Sequence, residues 1–257
     1  MPVNRKSTLC DWLGLHGRCR DDDIHRKYGE NMTGIDDRWV ARVVKGAKTL
    51  GVELDEEAKN RLAAYAVELL AWNRKCNLTA ITDPMDVAEK HMVDALAVTP
   101  YIPNGARLLD MGTGGGFPGI PARIVDSSLD VTLVDAVRKK VSFLKHAARV
   151  LKLNGVEAIH ARAEELCLEE GRGAGYDVVT SRAFSSIDTF VTMALPFLKP
   201  NGLMIAMKGK GFEEDQETLA ACEASLAGEG IALSTELIRY ELPFSKSQRA
   251  LFLISVK

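Results

Sequence analysis

The sequence predicts an α/β protein: a doubly wound, Rossmann-like parallel sheet whose last strand turns antiparallel, preceded by an N-terminal helical extension. Three observations predict it. Arg107 to Pro121 reads as a buried strand, a glycine loop (Asp110-Met-Gly-Thr-Gly-Gly-Gly-Phe-Pro-Gly) and a helix start. From Ala106 onward, short apolar runs alternate with helical stretches, the pattern of a parallel sheet covered on both faces. Residues 231–242 and 250–256 are two strand-like runs with no room for a helix between them, which forces an antiparallel hairpin.

The N-terminal part comes first. Residues 1–35 are polar and aperiodic and are expected to be a flexible extension. Residues 36–104 are expected to be helices packed on the core, and 105–257 the sheet domain. A helix from Asp36 to about Leu50 ends near Gly51. Asp55 caps a second helix, with Glu56 and Glu57 in its first turn and an apolar stripe of Ala58, Leu62, Tyr65, Ala66, Leu69, Leu70 and Trp72. A third helix over 85–98 puts His91 and Asp94 on one face. Pro100, Pro103 and Gly105 then form a linker.

In the sheet domain the strands are expected at 106–111, 131–134, 156–159, 177–180 and 203–207. Helices are expected over 118–125, 138–152, 163–170, 187–198 and 213–227, with a glycine-rich loop at 171–175. Pro200 and Gly202 stop the fourth of these helices. Ligands of such sheets bind beyond the carboxyl ends of the strands.

Composition bounds the function. In 257 residues, 46% hydrophobic and 26% charged side chains support one core with an extension. Net charge is −2, so any nucleic-acid contact must come from a local basic patch. No apolar run is long enough to span a bilayer, and no secretory h-region follows Arg5 and Lys6. Five scattered cysteines without a C-x-x-C predict reduced thiols in a cytoplasmic protein, with no structural metal.

The glycine loop narrows the ligand. Gly112, Gly114 and Gly116 permit left-handed backbone and close approach, and the following helix offers free N–H groups. Counted from Gly112, the dinucleotide spacing Gly-x-Gly-x-x-Gly meets Phe117 at its third glycine, and no Gly-Lys-Ser/Thr follows. Asp110, at the strand end, suits a ligand bearing an ammonium over a pyrophosphate. S-adenosylmethionine meets that requirement, while an NAD-like ligand and a plain tight turn remain the alternatives. Asp135 ends the second strand, where an acid meets ribose hydroxyls or caps the next helix. Ala163 and Glu164 follow the third strand, at the edge where an adenine amino group would sit. Arg182 and Lys208 follow the next two strands, where paired cations suit a phosphate-bearing substrate. Arg138, Lys139, Lys145, Arg149 and Lys152 form a basic stripe that reads as a solvated face or as an RNA-phosphate contact.

The combination is more specific than any one part. Asn77-Leu-Thr before Asp83-Pro84, His91 with Asp94-Ala-Leu, the glycine loop, Ser181-Arg-Ala-Phe and Lys208-Gly209 strongly resemble the bacterial small-subunit rRNA guanine-N7 methyltransferase G family, also called glucose-inhibited division protein B. The likeness runs from about residue 50 to the end, and the first 35 to 45 residues depart from it. It implies a class I methyltransferase sheet and methyl transfer from S-adenosylmethionine to N7 of one guanine in 16S rRNA of the small ribosomal subunit. It places Gly112, Phe117, Ala163-Glu164 and Arg182 at the cofactor, alongside Asp110, Gly114 and Asp135 from the reading above. Arg182 and Lys208 are then the expected catalytic residues. Arg138, Lys139, Arg162, Asn77 and His91 are the expected RNA contacts. No metal and no membrane are expected, and the chain is expected to act as a monomer. The alternatives are a methyltransferase of the same fold with another acceptor, an NAD-linked oxidoreductase, and a non-catalytic assembly factor that retains the cofactor fold.

Overall fold

The structure, a computed structural model, describes residues 34–166, 175–182, 184 and 186–257. The expected flexible extension lies almost wholly outside these residues, as do the end of the expected 163–170 helix, nearly all of the 171–175 loop, and Ala183.

Helix α1 (Asp37–Thr49) starts where the Asp36 carboxylate accepts from the backbone N–H groups of Arg38 and Trp39. The Trp39 indole is fully buried, and its N–H donates to the carbonyl of Pro84 at 2.9 Å, tying α1 to the third helix. Helix α2 (Glu56–Cys76) is capped by Asp55 and ends on Asn77, which takes the left-handed conformation at φ 48°. Helix α3 is composite: α-helical over Pro84–Val87, π-helical over Ala88–Val93 and α-helical again over Asp94–Leu96. A 3₁₀ turn, Thr99–Tyr101, leads into the sheet.

The sheet domain comprises β1 (Arg107–Met111), α4 (Gly119–Val125), β2 (Asp130–Asp135), α5 (Arg138–Val150), β3 (Val156–His160), α6 (Ala163–Leu166), β4 (Tyr176–Ser181), α7 (Ile187–Ala194), β5 (Leu198–Lys208), α8 (Phe212–Gly228), β6 (Leu233–Glu241) and β7 (Gln248–Val256). The seven strands order as β3-β2-β1-β4-β5-β7-β6. Strands β1 to β5 pair in parallel, and β7 runs antiparallel to both β5 and β6. The doubly wound sheet with its antiparallel hairpin is therefore present as expected.

Alternation along the strands sends successive side chains to opposite layers. Leu108 joins Trp39, Leu62, Tyr65, Met92 and Phe143 on the face covered by α1 to α5. Leu109 joins Phe190, Phe197, Leu219 and Phe252 on the face covered by α7 and α8. The N-terminal helices thus share one continuous core with the sheet, and their inner residues reach the loop that follows β1.

Two elements differ from expectation. Helix α7 stops at Ala194, a 3₁₀ turn over Leu195–Phe197 follows, and β5 begins at Leu198 instead of 203. Leu198 already pairs with Tyr176, and the register then slips so that Val178 faces Leu203. Pro200, without an N–H, and Asn201, at φ 64°, occupy that irregular stretch. The second difference is the π segment in α3. It offsets Glu89, His91 and Asp94 from a plain helical register, and all three are buried polar residues.

Candidate active site

The glycine loop leaves β1 at Gly112 (φ 67°), passes Gly114 (φ 60°) and Gly116 (φ 94°), and enters α4. Two strand-end carboxylates hold it. Asp110 is fully buried beneath the loop; its Oδ2 accepts from Thr113 Oγ1 at 2.6 Å and from the Gly119 N–H at 2.8 Å. Asp135 Oδ2 accepts from the Gly114 N–H at 2.9 Å, and its Oδ1 accepts from the Val137 N–H at 2.8 Å. Asp135 therefore holds the turn that leads into α5 and closes the loop with one carboxylate. Tyr65 on α2, fully buried, donates its hydroxyl to the carbonyl of Gly115.

The loop is shaped to receive a ligand. The direction a side chain would take at Gly114 is open, with only the Gly112 carbonyl at 4.0 Å. Asp110 Oδ1 is buried and has no hydrogen-bond partner among the described residues. Burial raises the Asp110 carboxyl to about 7, against the lowering effect of its bonds from Thr113 and Gly119. A buried acceptor without a donor beneath an open glycine cradle fits a cationic ligand group.

Phe117 links this loop to the second half of the site. Its ring stacks on His91 with centroids 4.7 Å apart and lies under the Arg182 guanidinium, 4.8 Å away. Arg182 donates from Nη1 to the Lys90 carbonyl at 3.3 Å and from Nη2 to His91 Nδ1 at 3.2 Å. With Nδ1 accepting, the imidazole proton is assigned to Nε2, which donates to Thr79 Oγ1 at 2.7 Å. Thr79 is in turn held by Asn73, whose side-chain amide bonds both its N–H and its carbonyl. The Asn-Leu-Thr stretch thus positions His91, and His91 positions Arg182. Burial, then the Arg182 charge, lower the His91 pKa to about 3.

These two shifts have opposite signs in stability. Folded His91 stays neutral to about pH 3, whereas the unfolded side chain protonates near 6.5, so its contribution is full above 6.5 and lost as pH falls. Asp110 gains protons on folding between 3.8 and about 7, so its contribution is full below that window and lost as pH rises. The slopes oppose each other from about pH 4.5 to 6.5. In His91→Gln the Asp110 slope is no longer opposed by this histidine, and stability is expected to fall as pH rises across this range, by roughly 1 kcal/mol per unit. Urea unfolding at three pH values checks it; a wild-type profile would contradict a neutral, buried His91.

The other expected site residues fall as follows. Ala163 is half-buried and Glu164 exposed on α6, at the β3 end of the same rim. Arg138, Lys139 and Arg162 are exposed beside them. Asn77 is exposed and serves as the left-handed end of α2. His91 is only 5% exposed, is held by Thr79 and Arg182, and lines the cavity beside Arg182. Lys208 lines the same cavity as Arg182, where it pairs with Asp215 at 2.8 Å and donates to the Phe184 carbonyl at 3.3 Å. Among the described residues no group of three or more His, Cys, Asp or Glu is placed to hold a metal ion.

Sequence reasoning missed four residues. The stripe of α2 places Tyr65 as one more apolar position, although a buried phenol needs a hydrogen-bond partner. Tyr240 and Arg249 come from the hairpin and meet Asp94, a contact 146 residues apart in sequence for the tyrosine and without local signature. Val137, 37% exposed next to Asp135, offers an apolar surface at the mouth of the loop.

A sheet of this order, with β7 reversed and a glycine loop tied to the acids ending β1 and β2, is that of the class I methyltransferases. The O-methyltransferase from Bacillus cereus, solved in complex with SAH, superposes with a TM-score of 0.56 at 19% identity, over 86% of this chain and 99% of that one. In sequence, the ribosomal RNA small subunit methyltransferase G of Geobacter metallireducens is 46% identical over 84% of this chain and 95% of its own length. That of Geobacter sp. strain M21 is 47% identical over 82% and 94%. Residues 58–236 match the GidB family, described as rRNA small subunit methyltransferase G, and the chain belongs to that family.

Proposed function

We propose that the chain transfers a methyl group from S-adenosylmethionine to N7 of one guanine in the 16S rRNA of the small ribosomal subunit, acting as a monomer without a metal. The observation that carries this reading is Arg182. It touches Phe117 of the glycine loop on one side and lines a polar cleft on the other, so it stands where cofactor and acceptor would meet. Family membership over most of the chain supports the acceptor.

The residues present fit the cofactor. Gly112 and Gly114 let the backbone come close, and the unpaired Asp110 Oδ1 matches a cationic group. Asp135 stands at the β2 end for ribose hydroxyls, Val137 offers apolar surface to a base, and Ala163 and Glu164 border the same edge. When bound, adenosylmethionine supplies a sulfonium methyl: the N7 lone pair forms the new N–C bond as the S–C bond breaks, and the positive charge moves to the base. N7 carries no proton, so no general base is needed, and the protein's task is alignment. Arg182, fixed by His91, the Lys90 carbonyl and Phe117, is placed to hold guanine O6. Lys208, bound to Asp215 and Phe184, braces the end of β5. Arg138, Lys139 and Arg162 supply exposed positive charge for RNA phosphates beside the cofactor, and exposed Asn77 is a further candidate contact.

Small subunits lacking N7-methylguanosine, incubated with labelled adenosylmethionine, should gain label at one N7-methylguanosine that chemical cleavage maps to 16S rRNA. Cofactor binding without rRNA label would discard the acceptor. Arg182→Ala is expected to lower this transfer at least about tenfold, roughly 1.4 kcal/mol of barrier, in a chain that still folds. Near-normal turnover would contradict its role.

A further inference from the structure

Beside the glycine loop, a cavity of about 320 Å³ opens between α3, the end of β5 and the β6–β7 hairpin, with His91, Asp94, Arg182, Tyr240 and Arg249 in its wall. Asp94 is 5% exposed. Its Oδ1 accepts from Tyr240 Oη at 2.9 Å and lies 3.3 Å from Arg249 Nε. Its Oδ2 stands 3.8 Å from Arg182 Nη1, outside hydrogen-bond reach. One oxygen of a nearly buried carboxylate in the cavity wall thus lacks a close donor among the described residues. The structural contacts of Asp94 occupy its other oxygen.

We propose that this cavity takes the target guanine and that Asp94 reads the base, its free oxygen side accepting from guanine N1–H and N2–H₂. The proposal rests on the rRNA reading above and deepens it. Its argument is the order of groups along the wall. Phe117 of the glycine loop lies behind the wall; Arg182, 4.8 Å from that ring, and Asp94, 3.8 Å from Arg182, follow in the wall itself. Around its edge guanine presents N7, then the O6 acceptor, then the N1–H and N2–H₂ donors. With N7 towards the glycine loop, O6 faces the guanidinium and the two donors face the carboxylate. Arg182 has donors to spare, since two of its five N–H groups account for the bonds to Lys90 and His91. Adenine reverses both contacts, placing an amino group against Arg182 and a bare ring nitrogen against Asp94. Methylation at N7 also makes the base cationic, which strengthens hydrogen bonds from N1–H and N2–H₂ to a carboxylate as the reaction proceeds. Asp94 is therefore a specificity residue that also favours the reaction.

The test uses small subunits reconstituted with 16S rRNA carrying guanosine or inosine at the mapped position, with full-length wild type and Asp94→Asn. Inosine keeps N7, O6 and N1–H and lacks only the N2 amino group. Wild type is expected to methylate inosine about tenfold less efficiently in kcat/KM, one lost hydrogen bond to a charged acceptor. Asp94→Asn should lose roughly thirtyfold on guanosine and should treat guanosine and inosine alike within about twofold. A purely structural role for Asp94 would lower both substrates in parallel and keep the inosine penalty; that result would overturn the proposal. If Asp94→Asn does not fold, the wild-type arm decides alone: equal turnover of inosine and guanosine overturns it, and the penalty supports it. No label from wild type on guanosine subunits would overturn the rRNA reading and this one together, whereas label without an inosine penalty overturns this one only.

Discussion

Gly112→Val is expected to abolish cofactor binding, with an affinity loss of at least about a thousandfold, roughly 4 kcal/mol, in a chain that still folds. Gly112 follows β1 directly and sits at φ 67°, a region that a β-branched residue enters only under strain. The loop around it has little freedom to relax. Thr113 is bonded to Val134 and Asp110, Gly114 to Asp135, and the Gly115 carbonyl to Tyr65. A side chain at 112 must therefore either strain the loop or turn its peptide away from the position the two carboxylates set. Either outcome disturbs the surface against which the ligand's charged end would lie. The strain itself, about 1–3 kcal/mol, falls short of the roughly 5–15 kcal/mol of a typical domain. Calorimetric titration with adenosylmethionine, with thermal unfolding as the control for folding, checks the expectation. Unchanged affinity in a folded variant would mean that the ligand does not approach over Gly112.

What the sequence made visible and what it hid divide along one line. Features encoded within about ten residues were legible. The loop, the helix start at Asp36 and the cap at Asp55, the alternation of strands and helices, and the terminal hairpin all follow from local chemistry, and all appear in the structure. Features decided by distant partners were not. The partner of Lys208 was hidden because nothing local announces that α8 folds Asp215 back onto it. Strand β5 starts early because Tyr176, on another strand, offers Leu198 a partner. Asp94 and His91 were legible as a pair on one face, but not that a π segment would turn them, with Glu89, into three differently engaged polar groups. Asp135 shows the intermediate case. Its position at the end of β2 was legible, whereas its bond to the Gly114 N–H depended on how the loop folds back.

Glu89 carries the second large expectation. It is fully buried, and Oε1 accepts from the N–H groups of Phe244 and Ser245 at 2.8 and 2.7 Å, while Oε2 accepts from Arg42 Nη2 at 3.0 Å. Arg42 also covers the Phe244 ring, 4.0 Å from its centroid. One carboxylate of α3 thus fastens both α1 and the turn between β6 and β7. Burial would raise its pKa, but the bonds from Ser245, Phe244 and Arg42 outweigh burial and hold it below the usual range. Its contribution is therefore full above the ordinary glutamate pKa and lost as pH falls through the lower folded value. Glu89→Ala leaves two N–H groups and a half-buried guanidinium without their acceptor. Removing one member of a buried pair costs about 3–5 kcal/mol; because Arg42 remains partly in water, about 3 kcal/mol is expected here. Glu89→Gln keeps an acceptor for the turn and should cost about 1–2 kcal/mol. Urea unfolding at neutral pH reads both, and equal midpoints for Glu89→Ala and wild type would show that the turn is held by something else. Since Tyr240 and Arg249 flank this turn and meet Asp94, a loosened hairpin should also lower methyl transfer in Glu89→Ala more than it lowers adenosylmethionine affinity, which depends on the loop after β1 and not on the hairpin.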